Sequence, residues 1–124
     1  MIVYISGAIT NNPNYKDDFQ KAEQWLILKD LTPINPAKLD FVLPKSKLTY
    51  EQFMKIDYAL LEMCDAIFML SGWQESKGAC AELSYAKSLG KKVFYQAYYE
   101  RRKDKFFCNI FDILIKQKGE NDET

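Results

Sequence analysis

The stretch AIFMLSGWQESKGACAE, residues 66–82, runs from an uninterrupted apolar segment through a glycine loop into a helix. The apolar segment at 66–70 predicts a strand buried on both faces, as in the centre of a parallel sheet. The helix is expected to begin near Ser76. A helix start offers unpaired backbone N–H groups and a partial positive charge, so Ser76 and Gly78 are placed to hold an anionic or hydroxyl-rich ligand. Glu82 follows in the same helix, where a carboxylate beside a bound sugar suits glycosyl chemistry as nucleophile or base.

The rest of the chain repeats this alternation of strand and helix. Strands are predicted at residues 2–5, 32–36, 66–70 and 92–96, and helices at 15–29, 49–63, 76–89 and 106–116. Residues 37–48 lack periodicity and predict an exposed loop suited to act as a lid. The pattern predicts an α/β fold, a Rossmann- or flavodoxin-like three-layer sandwich around a parallel sheet of about four or five strands. Ligands of such sheets bind at the carboxyl ends of the strands, where the loops that follow Ile5 and Leu70 are expected to lie.

Composition limits the partners and the compartment. The 124 residues predict one domain over residues 1–118, followed by a polar tail at 119–124 that is expected to fray. The 17 basic and 17 acidic side chains cancel, so no global field favours nucleic acid or a membrane as partner. The sequence indicates no membrane span and no signal peptide. The widely spaced Cys64, Cys80 and Cys108 predict reduced thiols in the cytoplasm.

The chain contains no histidine. General acid–base catalysis near neutral pH must then fall to carboxylates, tyrosines, cysteines or bound water. This disfavours triad hydrolases, histidine-based phosphoryl transfer and zinc sites, and we expect neither a metal nor a cofactor.

Four fragments resemble one known superfamily when they are taken in order. They are YISGAIT at 4–10, NPA at 35–37, Asp57 with CDA at 64–66, and Gly72-Trp73 with Ser76-x-Gly78-x-x-x-Glu82. Over roughly residues 1–96 the chain resembles the nucleoside 2-deoxyribosyltransferase superfamily, in particular its short, often phage-associated branch, a domain of unknown function that is similar to nucleotide N-glycosidases.

The resemblance implies catalytic roles for Glu82 and Asp57. In that superfamily a glutamate on the helix after the glycine loop attacks the anomeric carbon of a nucleoside or nucleotide and expels the base. Glu82 matches this glutamate. Asp57 resembles an aspartate that contacts the base or assists its protonation. The alternative for each of the two residues is a solvated carboxylate on a helix face.

The resemblance also implies a set of substrate-binding residues. Ser76 stands where members that act on free nucleosides have an aspartate and where nucleotide N-glycosidases have a serine that holds the 5′-phosphate; its alternative role is that of a helix cap. The other residues expected at the substrate are Tyr4, Ser6, Gly7, Ile9, Gly72, Trp73 and Gly78. The alternative is core packing for Tyr4, core or dimer packing for Trp73, and a tight turn for Gly7.

We therefore expect cleavage of the N-glycosidic bond of a nucleoside 5′-monophosphate or related nucleotide through a glycosyl-glutamate intermediate. Base exchange between nucleosides is one alternative. Another is a nucleotide-binding protein that sequesters or destroys an ADP-ribose-type signal, as in phage counter-defence. The aromatic and basic segment at 95–107 predicts a homodimer or a higher even-numbered homo-oligomer.

Overall fold

The structure, a computed structural model, describes residues 1–101 of the chain. The strands are β1 (Ile2–Ser6), β2 (Thr32–Ile34), β3 (Ala66–Met69) and β4 (Lys92–Tyr95). The helices are α1 (Tyr15–Leu28), α2 (Tyr50–Glu62), α3 (Lys77–Ser88) and α4 (Gln96–Arg101). The helix predicted at 106–116, the tail at 119–124 and the end of the segment at 95–107 lie outside the described residues.

The strands form one parallel sheet in the order β2-β1-β3-β4. Tyr4 on β1 is paired with Ile34 on one side and with Ile67 on the other, and Ile67 on β3 is also paired with Val93 on β4, so β1 and β3 are the two central strands. Their positions explain the apolar character of β3, whose residues are all buried.

Helices cover both faces of this sheet because successive strand residues point to opposite sides. Val3, Ile5 and Phe68 pack with α1 in one core cluster. Tyr4 and Ile67 belong to a second cluster, which contains residues of α2 and α3. The predicted α/β three-layer sandwich is therefore confirmed, with a sheet of four strands.

Local signals set the ends of the helices that carry the site. Thr49 and Gln52 form a reciprocal capping box at the start of α2, with N···O distances of 2.8 and 3.1 Å. The Ser76 hydroxyl accepts a hydrogen bond from the backbone N–H of Ala79 at 3.1 Å and caps α3. Gly90 follows α3 with a φ of 72°, a left-handed conformation that favours glycine.

The segment after β2 differs from the loop that the sequence predicts. It contains short 3-10 helices at Pro36–Phe41 and Lys45–Lys47. The first is held against α1 by an ion pair of 2.8 Å between Lys38 and Glu23, and by a hydrogen bond from the Tyr15 hydroxyl to Asp40. Anchored in this way, Pro36–Phe41 forms a wall more than a lid. Within residues 1–101, none of the helices has both the length and the apolar character required to cross a bilayer.

Candidate active site

Glu82 is the most constrained polar side chain of the site. It lies on α3, is only 6% exposed, and points toward the end of β1. The Ser6 hydroxyl donates a hydrogen bond to its Oε1 at 2.6 Å, and the Tyr4 hydroxyl donates one to its Oε2. Tyr4 and Ser6 reach the same carboxylate because residues two apart in a strand share a face. With both oxygens bonded, Glu82 is held in one orientation.

Asp57 on α2 makes the second carboxyl group of the site. Burial, followed by the negative charge of Asp57, raises the pKa of Glu82 from 4.5 to about 8, against the hydrogen bonds from Ser6 and Tyr4. Burial also raises the pKa of Asp57. Two neighbouring carboxyl groups that both resist ionisation retain a proton near neutral pH and titrate as a pair.

Tyr4 stays protonated beside this pair. Burial raises its pKa well above 10, and the charges of Glu82 and Asp57 act in the same direction. Its hydroxyl is therefore a hydrogen-bond donor to the carboxyl pair near neutral pH.

The carboxyl pair opens onto a cavity of about 340 Å³, a size typical of small-molecule sites. The cavity lies at the carboxyl end of β1, between α2, α3 and the Pro36–Phe41 wall. Its lining includes seven of the predicted site residues: Tyr4, Gly7, Ile9, Asp57, Ser76, Gly78 and Glu82. Ser6 is not in the lining and reaches the site through its hydrogen bond to Glu82.

Gly7 has a steric reason to be glycine. A Cβ built on it would lie 2.8 Å from Cδ1 and 2.9 Å from Cβ of Leu70. The neighbouring atoms leave no room for a methyl group, because the Leu70 side chain is buried. Close approach of β1 to the chain after β3 is therefore the requirement at this position, beyond the tight turn considered from the sequence.

Gly78 is confined more loosely, at the first turn of α3. A Cβ there would lie 3.8 Å from Sδ of Met54, and 3.9 Å from both Oγ of Ser76 and Cε2 of Tyr50. These are ordinary contact distances. The start of α3 and the start of α2 thus enclose one corner of the cavity.

The structure does not bring Gly72 and Trp73 to the cavity. Gly72 has a φ of 87° and opens the short 3-10 helix Trp73–Glu75, so its role is that of a turn residue. The Trp73 ring packs against Tyr95 with centroids 5.9 Å apart, beside the core cluster of α2 and α3. Contact of these two residues with substrate therefore stays a prediction, and the ring contact gives Trp73 a packing role in the described structure.

Sequence reasoning missed much of the cavity wall. The missed lining residues are Ile5, Thr10, Phe19, Pro36, Leu39, Asp40, Leu48, Tyr50, Phe53, Met54 and Ala79. A signal existed on α2, where Tyr50, Phe53 and Met54 precede Asp57 at spacings that share one helix face. Asp40 had no such signal, since its place depends on the anchored wall after β2.

The charge of the lining is negative. Of the described residues that line the cavity, three are carboxylates, Asp40, Asp57 and Glu82, and none is a lysine or arginine. The remaining wall is largely apolar. The start of α3 is the electropositive corner of this site.

Three solved structures share this fold. The chain matches 2-deoxyribosyltransferase from Bacillus psychrosaccharolyticus with a TM-score of 0.61 and 22% identity, covering 77% of this chain and 71% of that one. It matches 2-desoxiribosyltransferase from Leishmania mexicana with a TM-score of 0.57 and 23% identity, covering 76% of this chain and 62% of that one. The match to the CMP N-glycosidase BcmB from Clostridium botulinum has a TM-score of 0.54 and 22% identity, with 82% and 78% covered.

The likeness to these structures establishes a shared fold, in agreement with the superfamily resemblance of the sequence fragments. The chain spans less than two thirds of the length of the Leishmania protein. A search of the curated proteins by sequence gives no match. Residues 1–95 match the model of the family described as "Domain of unknown function (DUF4406)", and the chain belongs to that family.

Proposed function

We propose that this protein is an enzyme that cleaves the N-glycosidic bond of a nucleoside 5′-monophosphate, with Glu82 as nucleophile and water as the second substrate. The observation that carries the proposal is the buried Glu82 carboxyl group, held by two hydroxyls beside a second carboxyl group at the floor of a cavity. The shared fold with deoxyribosyltransferases and a CMP N-glycosidase supports it.

In the first step, a Glu82 oxygen attacks C1′ of the sugar while the C1′–N bond breaks. Glu82 and Asp57 share one proton across the hydrogen bond between their carboxyl groups, and in the reacting form this proton has passed from Glu82 to Asp57. The bonding electrons leave with the base, which takes that proton from Asp57. Positive charge that develops on the sugar is stabilised by the ionised Glu82. The hydroxyls of Tyr4 and Ser6 orient that carboxylate, so little reorganisation accompanies the attack.

In the second step, water hydrolyses the ester between Glu82 and C1′ of the sugar. Asp57, now ionised, takes a proton from the water, whose oxygen forms the new bond to C1′ as the bond to Glu82 breaks. The products are the free base and the sugar 5-phosphate. Glu82 is again a carboxylate, and the pair again holds one proton.

The presence of serine at position 76 favours a substrate with a 5′-phosphate over a free nucleoside. Its hydroxyl is uncharged, and the first N–H groups of α3 have no partner within the helix. An aspartate at this position would add a fourth carboxylate to a lining that already has three, and would repel a phosphate.

The test is release of free base, followed by chromatography, from matched nucleosides and 5′-monophosphates of each base. We expect monophosphates to be cleaved with the higher kcat/KM, and Glu82→Gln to lose at least about 100-fold in kcat. Glu75→Gln, a change of an exposed glutamate just before the same helix, is the control and should retain full activity. Equal activity on nucleosides and monophosphates would contradict the phosphate assignment, and an active Glu82→Gln would contradict the mechanism.

Base exchange is a second candidate, favoured by the two deoxyribosyltransferases among the structural matches. Here a second base, in place of water, attacks the glycosyl ester. Adding an isotopically labelled free base to the same reaction separates the candidates. Labelled nucleotide would indicate transfer, whereas sugar phosphate alone would indicate hydrolysis. Tight binding with neither product would favour the nucleotide-sequestering alternative.

Assembly into a homodimer or higher even-numbered homo-oligomer stays a prediction. Part of the segment at 95–107 that motivates it lies outside the described residues. Within residues 1–101, Tyr98 is 44% exposed, whereas Tyr99 packs on Trp25 of α1 with ring centroids 5.5 Å apart. Light scattering over a dilution series tests the prediction, and a monomer that is fully active at micromolar concentration would refute it.

A further inference from the structure

We propose that Lys77 is a specificity-determining residue of this site, supplying the positive charge that selects a 5′-phosphate, and that the ring of Tyr50 holds it in place. The proposal rests on the proposed function and adds a residue that neither the sequence motif nor the cavity lining contains. Three observations lead to it: the charge of the cavity, the position of Tyr50, and the position of the Lys77 ammonium group.

The cavity as lined cannot neutralise a phosphate. Its charged residues among the described part of the chain are Asp40, Asp57 and Glu82, and even with one proton on the carboxyl pair the wall remains negative. A 5′-phosphate brings a further charge of about −2 near neutral pH. Backbone N–H groups at a helix start offer only about half a unit of positive charge. A side-chain cation at that corner would offset more of the charge of a bound dianion than the helix start alone.

Tyr50, the first residue of α2, lies at the corner of the cavity that the start of α3 forms. It lines the cavity, and its Cε2 lies 3.9 Å from the position that a Cβ on Gly78 would take. The ring therefore stands next to the first turn of α3, where Ser76 provides the cap.

The Lys77 ammonium group lies over the same ring. Its Nζ is 5.1 Å from the Tyr50 ring centroid, within the range of a cation–π contact. Within residues 1–101, the structure shows no carboxylate in ion-pair contact with Lys77, so its charge is not neutralised there. A cation resting on an aromatic face keeps its three N–H donors, which can turn toward a phosphate oxygen.

The experiment compares kcat/KM for a 5′-monophosphate with kcat/KM for the matching nucleoside. Lys77→Met should lower this ratio by about 10-fold or more, because a charge-assisted hydrogen bond is lost, while nucleoside turnover stays within about twofold. Lys77→Arg should restore most of the ratio. The matched control is Lys87→Met, which removes an exposed charge from the other end of α3 and should leave the ratio unchanged.

Two further measurements separate a phosphate contact from a general effect. Increasing salt should weaken monophosphate cleavage more in the wild type than in Lys77→Met, since screening acts on the charge that the variant lacks. Tyr50→Leu, which removes the ring but no charge, should lower the ratio in the same direction. A ratio unchanged in Lys77→Met would overturn the proposal.

Failure of the proposed function gives a different result. Binding of monophosphates and nucleosides to the Glu82→Gln variant can be measured without turnover, by calorimetry. If monophosphates bind through Lys77 but no base is ever released, the hydrolytic function is wrong and the role of Lys77 stands. If neither class of ligand binds, both proposals are wrong.

Discussion

The raised pKa of Glu82 predicts that this residue destabilises the folded protein as the pH rises. In the unfolded chain the Glu82 carboxyl group ionises near 4.5, whereas in the folded protein burial and the charge of Asp57 raise its pKa to about 8. The folded state therefore binds the proton more tightly. The stability that this proton provides is fully present below pH 4.5 and is lost as the pH rises through about 8.

The size of the effect follows from the two values. One pH unit corresponds to about 1.4 kcal/mol, so the difference between 4.5 and about 8 corresponds to about 5 kcal/mol at most. Small domains have unfolding free energies of about 5–15 kcal/mol, so the loss is a substantial share of the total. The glutamine of Glu82→Gln does not titrate. The unfolding free energy of this variant, relative to that of the wild type, should therefore increase steadily from pH 5 to pH 8.

Urea unfolding, followed by circular dichroism at intervals of half a pH unit between 5 and 8.5, measures this difference. Glu75→Gln serves as the control, because it removes an exposed carboxylate from the same part of the chain. Its unfolding free energy should follow that of the wild type. Parallel curves for the wild type and Glu82→Gln over this range would refute the reasoning, whatever the absolute stability of the variant.

Two other predictions concern the same pocket. Asp57→Asn removes the charge beside Glu82 and should lower the pKa of Glu82, so in the variant the decline of stability with pH should end below about pH 8. Base release should also fall, because the proton donor is lost. Gly7→Ala should lower the unfolding free energy by about 1–3 kcal/mol, because its Cβ would overlap Leu70 at 2.8–2.9 Å. Gly90→Ala is the comparison for strain without overlap, since a Cβ there meets nothing within 4 Å and the cost comes from a φ of 72° alone. Chemical denaturation measures the two glycine changes, and a Gly7→Ala variant as stable as the wild type would contradict the packing argument.

The elements that the sequence predicts well are those with local causes. The capping box of Thr49 and Gln52, the cap at Ser76 and the left-handed Gly90 each depend on a few neighbouring residues. The apolar run of β3 likewise predicts its own burial. These signals were sufficient to predict the order of strands and helices as far as β4, and the edge of the sheet at which the candidate site lies; they did not predict α4.

The elements that the sequence did not predict depend on contacts between distant parts of the chain. Trp73 follows the loop glycine as a ligand-stacking residue would, yet its ring packs on Tyr95 of β4. Asp40 enters the cavity because Tyr15 and Glu23 anchor its segment to α1. Gln96 continues the β4 pattern by composition but begins α4, where its side chain accepts a hydrogen bond from the backbone N–H of Ser71 at 2.9 Å.

The carboxyl pair of Glu82 and Asp57 was predicted only in part. The resemblance singled out Glu82 and Asp57 separately, and the structure adds that α2 and α3 bring them together under the hydroxyls of Tyr4 and Ser6. Burial, the main cause of the raised pKa of Glu82, cannot be inferred from a sequence motif. It turns two ordinary carboxylates into a pair that holds a proton near neutral pH.

The most direct test of the central claim, that Glu82 is the nucleophile, is mass spectrometry of the protein after reaction with a 2′-fluoro analogue of a cleaved monophosphate. The fluorine withdraws electrons from C1′ and slows hydrolysis of the ester, so the intermediate accumulates. We predict a mass increase of one fluorinated sugar phosphate, located on the peptide that contains Glu82 and absent from Glu82→Gln. Base release from the analogue with no adduct, or with an adduct on another residue, would contradict the account.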